Sequence, residues 1–150
     1  MNSDGALTRF ILPDDEQPRW IAELGESPDW DEAAIAPVAR QVDEYFARKR
    51  RDFDLPLAAE GTEFQQAVWR QLCLIPYGET ISYGEMARRI GNPDAQRAVG
   101  MANNANPIGL IVPCHRVIGA GGKLVGFGGG LPMKVALLRF EGPEPDLFGI

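Results

Sequence analysis

The stretch from Ile108 to Gly122 constrains this chain more than any other. An apolar run, Ile108-Gly109-Leu110-Ile111-Val112, meets Pro113-Cys114-His115-Arg116-Val117-Ile118 and then Gly119-Ala120-Gly121-Gly122. An apolar run bounded by turn formers reads as a buried strand, here one that delivers a cysteine to a sharp glycine-rich bend. His115 is the only histidine in the 150 residues. A thiol beside the chain's one neutral-pH proton acceptor has two readings. It is either a core cysteine next to an unrelated histidine, since free cysteine is among the most buried residue types, or an activated nucleophile, since the thiolate and not the thiol attacks electrophiles.

Length allows one compact unit, or two small subdomains sharing a core, with most apolar surface buried and no staples. The two cysteines, Cys73 and Cys114, form no disulfide framework. With a single histidine they also lack the spacing of a four-ligand metal site, so a reducing compartment and no zinc are expected. The start, Met1-Asn2-Ser3-Asp4-Gly5, is polar and acidic, and no apolar run approaches a membrane span; a cytoplasmic protein is the expectation.

The net charge of -6 argues against a nucleic-acid partner, but its distribution weakens the objection. There are 14 acidic and 7 basic residues up to position 60, and 7 acidic against 8 basic beyond it. Within 64–134 stand Arg70, Arg88, Arg89, Arg97, Arg116, Lys123 and Lys134 against Glu79, Glu85 and Asp94. A mildly basic face there can neutralise a few phosphates.

Along the chain, Ala6 to Leu12 reads as one short strand before the Pro13-Asp14-Asp15-Glu16 loop, and Trp20 and Trp30 lie in a Pro/Gly-punctuated loop or short helix. From Asp31, apolar residues Ile35, Val38, Ala39, Val42, Tyr45 and Phe46 recur at helical spacing. The following Arg48-Lys49-Arg50-Arg51 reads as the basic last turn of that helix, with a nucleic-acid patch as the other reading. Phe53 to Leu57 looks like an edge strand, and Ala58 to Gly61 the subdomain boundary, giving units 1–60 and 61–150. Thr62-Glu63-Phe64-Gln65 is a capping box opening a helix with Phe64, Val68, Trp69 and Leu72 inward, and Cys73 reads as core. Ser82-Tyr83-Gly84-Glu85 is a second capping box, opening a helix with Met86, Ala87 and Ile90 inward.

Asn92 and Pro93 then suit the cap and first position of another helix, running to about Asn104. Two short helices joined by a three-residue turn have the form of a helix-turn-helix. The second is rich in small residues (Ala95, Ala98, Gly100, Ala102, Ala105) with one long cation, Arg97. Small side chains let a backbone approach either a grooved partner or the protein's own core, and both readings stand. A last helix from about Pro132 carries Met133, Ala136, Leu137 and Phe140 inward and ends at Glu141.

Together these motifs resemble the O6-alkylguanine-DNA alkyltransferases, the direct-reversal repair proteins, over roughly 61–142. The resemblance rests on Phe64-Gln65-Gln66-Ala67-Val68-Trp69, Ile75-Pro76-Tyr77-Gly78-Glu79-Thr80, Ser82-Tyr83-Gly84-Glu85-Met86-Ala87, Arg97-Ala98-Val99-Gly100, Asn106-Pro107, Pro113-Cys114-His115-Arg116-Val117-Ile118, the glycine-rich loop Gly126 to Gly130, and Lys134. It implies an α/β (α+β) fold with a shortened ribonuclease-H-like N-terminal subdomain and a mainly helical C-terminal domain bearing the helix-turn-helix. It also implies a stoichiometric enzyme, a methylated-DNA–protein-cysteine S-methyltransferase that spends Cys114 on one alkyl group. The implied partner is double-stranded DNA containing O6-alkylguanine, with O4-alkylthymine left open, and neither cofactor nor metal.

By the same resemblance His115 takes the thiol proton through a bridging water and Glu141 holds the imidazole. Tyr83 serves guanine N3, the carbonyls of Cys114 and Val117 accept from the exocyclic amine, and the N–H of Gly128 donates to O6. Arg97 fills the gap left by the flipped base, on a helix that also carries Ala98, Asn103 and Asn104 toward DNA. Asn106 orders the active-site turn. A small-residue helix with one intercalating arginine suits the minor groove, and extruding the nucleotide exposes an oxygen that lies inside the stack. Two departures stand out: Phe127 replaces the usual tyrosine of the pocket wall, and the N-terminal part is short. The alternative function is an alkyltransferase-like protein that binds alkylated DNA without repairing it; members of that class replace the cysteine that this chain keeps. An unrelated Cys-His acyl-transfer hydrolase leaves the flanking motifs unexplained.

Overall fold

The structure, a computed structural model, describes residues 1–2, 5–10, 32–122 and 131–142. The expected loops around Pro13, Trp20 and Trp30, and the glycine-rich loop with Phe127 and Gly128, lie outside the described residues. The fold is mixed α/β: five helices and a two-stranded parallel sheet among the described residues. None of these helices is long and apolar enough to cross a membrane.

Helix α1 (Glu32–Phe46) carries Pro37 inside it, in its second turn. It buries Val38 and Tyr45. The basic run does not form its last turn: the helix stops at Phe46, and Lys49 N–H returns to Glu44 O (2.8 Å) while Arg48 N–H returns to Tyr45 O (3.0 Å). Residues 53–57 make no strand. Leu57 forms a single parallel bridge with Leu7, and Phe10 another with Ile108. The N-terminal segment thus pins residues 56–58 on one side and Pro107 on the other, through Leu7 N–H to Pro56 O (2.7 Å) and Phe10 N–H to Pro107 O (2.8 Å).

Helix α2 (Glu63–Leu72) opens on the expected capping box: Thr62 Oγ1 accepts from Gln65 N–H and Gln65 Oε1 accepts from Thr62 N–H. A Cβ on Gly61 would sit 2.5 Å from the Trp69 ring, so only glycine fits where the chain enters. Val68, Trp69 and Leu72 are buried, and Trp69 Nε1 donates to Ala102 O at 2.8 Å. Cys73 is exposed, not core. It is the C-cap residue, one position past the last helical residue, Leu72.

Strand β1 (Ile81–Ser82) leads into helix α3 (Tyr83–Arg89), whose cap is half a box. Ser82 Oγ accepts from Glu85 N–H, but the Glu85 carboxylate is held by Arg88 and Arg89 instead of reaching back. Helix α4 (Gln96–Asn104) starts later than expected. Asn92 and Pro93 lie in the connecting turn, which runs over residues 90–95 rather than three, and Ala95 is the uncapped N-terminal residue. Val99, Ala102 and Asn103 of α4 face inward.

The run 108–112 is not a strand. Ile111 N–H bonds Gly109 O and Val112 N–H bonds Ile108 O, with Leu110 at φ 71°. This is a tight turn through a region L residues rarely occupy. Packing explains it: Ile108, Ile111 and Val112 join the main core with Val68, Met86 and Val99, while Leu110 joins Tyr45 and Leu137 in a second cluster. A flat strand with period-2 alternation does not divide the residues that way. Pro113 (φ -82°, ψ 66°) makes a second narrow turn, with Cys114 N–H on Val112 O at 2.8 Å. A single 3₁₀ turn, Cys114–Arg116, then leads into strand β2 (Val117–Ile118), paired with β1 in register Ile81 to Val117.

Helix α5 (Leu131–Glu141) closes the described structure. Its buried stripe is Lys134, Leu137, Leu138 and Glu141, so Ala136 faces out and two charged side chains face in.

Candidate active site

Cys114 opens the 3₁₀ turn and is 4% exposed. Burial pushes its thiol up to about 11, against the opposing pull of the Asn106 amide and the Lys134 charge. The resting group is therefore the neutral thiol. Two asparagines shape its backbone. Asn106 Nδ2 donates to Val112 O (2.9 Å) and its Oδ1 accepts from Ile108 N–H (3.0 Å), bracketing the tight turn. Asn103 Nδ2 donates to Cys114 O at 3.2 Å.

His115 is fully buried, and its Nε2 lies 2.9 Å from Glu141 Oε1. A carboxylate accepts, so the proton resides on Nε2 and Nδ1 keeps its lone pair. Nδ1 is buried and has no hydrogen-bond partner among the described residues. Burial, which outweighs the Glu141 interaction, lowers the imidazole pKa, so His115 is neutral and basic at Nδ1.

Glu141 is the most heavily bonded side chain of the site. Oε1 accepts from Tyr45 Oη (2.7 Å), His115 Nε2 (2.9 Å) and Arg116 Nη2 (2.8 Å), and Oε2 accepts from Arg116 Nε (2.8 Å). Burial alone would raise its carboxyl, but the bonds from His115 and Arg116 outweigh burial and bring it down to about 2. Arg116 Nη1 donates to Ile75 O at 2.7 Å, which ties this ion pair to the end of α2. Gly78 lets α5 end here. It adopts φ 79°, and a Cβ on it would lie 3.0 Å from Glu141 O.

Opposite the thiol, Lys134 is fully buried; its Nζ donates to Val117 O at 2.6 Å and sits 5.8 Å from the Tyr83 ring centroid. Burial lowers its pKa to about 8, partly offset by Cys114. Tyr83 is half-buried at the start of α3; burial and then the neighbouring Cys114 raise its phenol, against Asn103. Tyr83 also lines an open cleft of about 630 Å³ with Arg97, Gly100, Asn104, Gly119 and Ala120.

The structure therefore gathers Cys114, His115, Glu141, Tyr83, Val117 and Asn106 around one point. Arg97, Ala98 and Asn104 lie exposed on α4 with Met101, which is 69% exposed, along one face. Asn103 is not on that face. It is buried against the Cys114 carbonyl, because it sits one turn from Val99 on the core stripe. Arg116 and Lys134, which the sequence groups with the bases of an outer face, are both buried. Two members of the site carry no clear signal in the sequence. Arg116 stands as the fourth letter of a motif, and Tyr45 occupies an ordinary core position of an amphipathic helix. The apolar run 108–112 before the motif and Val117-Ile118 directly after Arg116 are the one hint that the Arg116 charge needs an internal partner.

Comparison with known proteins identifies the family. The family model described as 6-O-methylguanine DNA methyltransferase, DNA binding domain, matches residues 63–143, and that of the family's ribonuclease-like domain matches residues 9–59. A methylated-DNA–protein-cysteine methyltransferase of Methanosarcina acetivorans is 58% identical over 120 residues, covering 78% of this chain and 77% of its own. The crystal structure of Mycobacterium tuberculosis O6-methylguanine methyltransferase superposes with a TM-score of 0.81 at 48% identity, covering 91% of this chain and 81% of the other. The same organism's protein in complex with DNA matches with a TM-score of 0.70 at 57% identity, over 71% of this chain and 66% of that one. With more than half of its length matched by one domain model and a relative 58% identical over 78% of it, the chain belongs to the 6-O-methylguanine DNA methyltransferase family.

Proposed function

We propose that this protein repairs DNA by direct reversal: it takes an O6-alkylguanine flipped out of a duplex and moves the alkyl group irreversibly to Cys114. The observation that carries the reading is a cysteine kept beside a buried His115–Glu141 pair in a chain of this family. The DNA complex of the mycobacterial relative supports DNA as the partner.

In this reading α4 enters the minor groove, and Arg97 stands in the gap while the nucleotide swings into the space beside Tyr83. His115 Nδ1 receives the Cys114 proton through a water, and the resulting imidazolium is held by Glu141, whose own charge is secured by Arg116 and Tyr45. The sulfur attacks the alkyl carbon, the S–C bond forms as the C–O6 bond breaks, and guanine leaves with the bonding pair. Tyr83, kept protonated by its raised pKa, donates a hydrogen bond to guanine N3 and stabilises the departing base. The Val117 carbonyl accepts from Lys134 Nζ and keeps a second lone pair for the exocyclic amine, whereas the Cys114 carbonyl already accepts from both Asn103 Nδ2 and Val117 N–H, so the amine shares an occupied acceptor there. Gly128 and Phe127 complete the wall. The thioether persists, so the protein acts once.

Two further assignments belong to this reading. The chain divides into units 1–60 and 61–150, a boundary supported by the two family models, which end at 59 and begin at 63. A thiol kept for use as a nucleophile fits a reducing, cytoplasmic setting.

Intact mass spectrometry after incubation with an O6-methylguanine oligonucleotide tests the proposal. Wild-type protein gains one methyl on Cys114; lesion binding with the methyl left on DNA selects the alkyltransferase-like alternative and overturns repair.

A further inference from the structure

The arginine run after α1 is not absorbed by the repair site, and its geometry is specific. The last turn of α1 closes with paired bonds, Lys49 N–H to Glu44 O and Arg48 N–H to Tyr45 O. In this motif the penultimate residue adopts the left-handed region and is usually glycine. Here it is Arg48, at φ 60°. An L residue there is strained, and such strain persists where the surroundings impose it. The surroundings are plain: the Arg48 guanidinium lies 4.1 Å over the Phe140 ring and donates to Phe140 O at 3.0 Å.

Arg48, Arg50 and Arg51 together line a cleft of about 390 Å³ against Tyr77, Gly78 and the end of α5. Arg51 sits 5.2 Å over the Tyr77 ring and has no carboxylate within ion-pair range among the described residues. Arg50 meets Glu44 at 3.4 Å, donates to Asp52 O at 3.0 Å, and leaves its Nε buried without a partner among the described residues. The Glu141 side chain is 1% exposed and committed to Arg116, His115 and Tyr45, so only its backbone faces the cleft. Three arginines therefore line one space, and of them only Arg50 is paired with a carboxylate among the described residues, Glu44, which Arg40 shares and which does not itself line the cleft. Planar N–H forks held by aromatic rings match the oxygens of a phosphate.

We propose that this cleft is an anion site that takes a phosphate group, distinct from the Tyr83–Arg97 cleft, with which it shares no lining residue. The phosphate belongs either to a backbone segment of DNA away from the flipped base or to a free phosphomonoester. The site stands whether or not Cys114 dealkylates DNA.

Thermal unfolding in sodium phosphate against sodium chloride at matched ionic strength tests it, with wild type, Arg51→Gln and the double variant Arg48→Gln/Arg51→Gln. Arg51 is exposed, so its single variant keeps the fold if the strained Arg48 position does not tolerate change. Saturating phosphate raises the wild-type Tm by about 2–4 °C beyond chloride, and the variants lose that increment. A second arm measures salt dependence of binding to an unmodified duplex. If a backbone phosphate is the ligand, the log–log slope in the variants is shallower by about one unit for each phosphate no longer neutralised, and inorganic phosphate competes. An unchanged slope with the Tm increment still lost assigns the site to a free phosphomonoester. Equal stabilisation by phosphate and chloride, or an increment that survives in both variants, overturns the proposal.

Discussion

Arg116 grips both oxygens of Glu141, Nε on Oε2 and Nη2 on Oε1, each at 2.8 Å in a buried setting. The pair is what allows a carboxylate to sit behind the imidazole of the candidate site without drawing the proton from it. Arg116→Met strips Glu141 of its charge partner and leaves a buried carboxylate short of donors. Urea unfolding should show a loss of about 3–5 kcal/mol, the range for breaking one side of a buried pair. A loss under about 1 kcal/mol would mean the pair is not buried in solution.

Acid sensitivity follows from the same carboxylate. Glu141 titrates at about 2 in the folded protein against a reference of 4.5, so the unfolded chain takes up the proton first as pH falls. Its stabilising contribution is complete above pH 4.5 and is lost between about 4.5 and 2, on the order of 3 kcal/mol. Denaturant midpoints measured from pH 6 to pH 2.5 should fall over that window, and Glu141→Gln should flatten the dependence.

The rate of alkyl transfer has its own pH dependence. Burial holds the His115 pKa below 6.5, so the base form dominates from pH 8 down to 6.5 and the single-turnover rate should stay level there. The rate should decline only at lower pH. A decline that begins near pH 7.5 contradicts a neutral His115.

Arg97 and Asn103 separate DNA engagement from chemistry. Arg97 is exposed on α4, whereas Asn103 is buried with its amide on the Cys114 carbonyl. Arg97→Ala should slow transfer from duplex DNA and leave transfer from a free O6-alkylguanine base unchanged. Asn103→Ala should slow both by about tenfold, the effect of removing one hydrogen bond worth about 1–1.5 kcal/mol. Equal losses in both substrates for Arg97→Ala would remove it from an intercalating role.

Tyr83→Phe keeps the ring against Lys134 and removes only the hydroxyl. Single-turnover transfer should slow by about tenfold or more, with duplex affinity nearly unchanged. An unchanged rate places the phenol outside the chemistry.

Much of this is legible in the linear chain wherever a local rule governs. Thr62 to Gln65 and Ser82 to Glu85 start helices because side-chain caps act within four residues, and the spacing of Val68, Trp69 and Leu72 marks a buried face for the same short-range reason. The Cys114-His115 dipeptide and the motifs around it locate the candidate site and the family. The tertiary structure decided what depends on distant partners. The run 108–112 turns instead of extending, because Leu110 and its neighbours are drawn to different cores. Asn103, Arg116 and Lys134 face inward, because acceptors at Cys114, Glu141 and Val117 are there to receive them. Tyr45 bonds Glu141 across 96 positions of sequence. A buried donor or charge is tolerable only where its partner already waits, and where that partner waits is a property of the folded chain, not of the residues beside it.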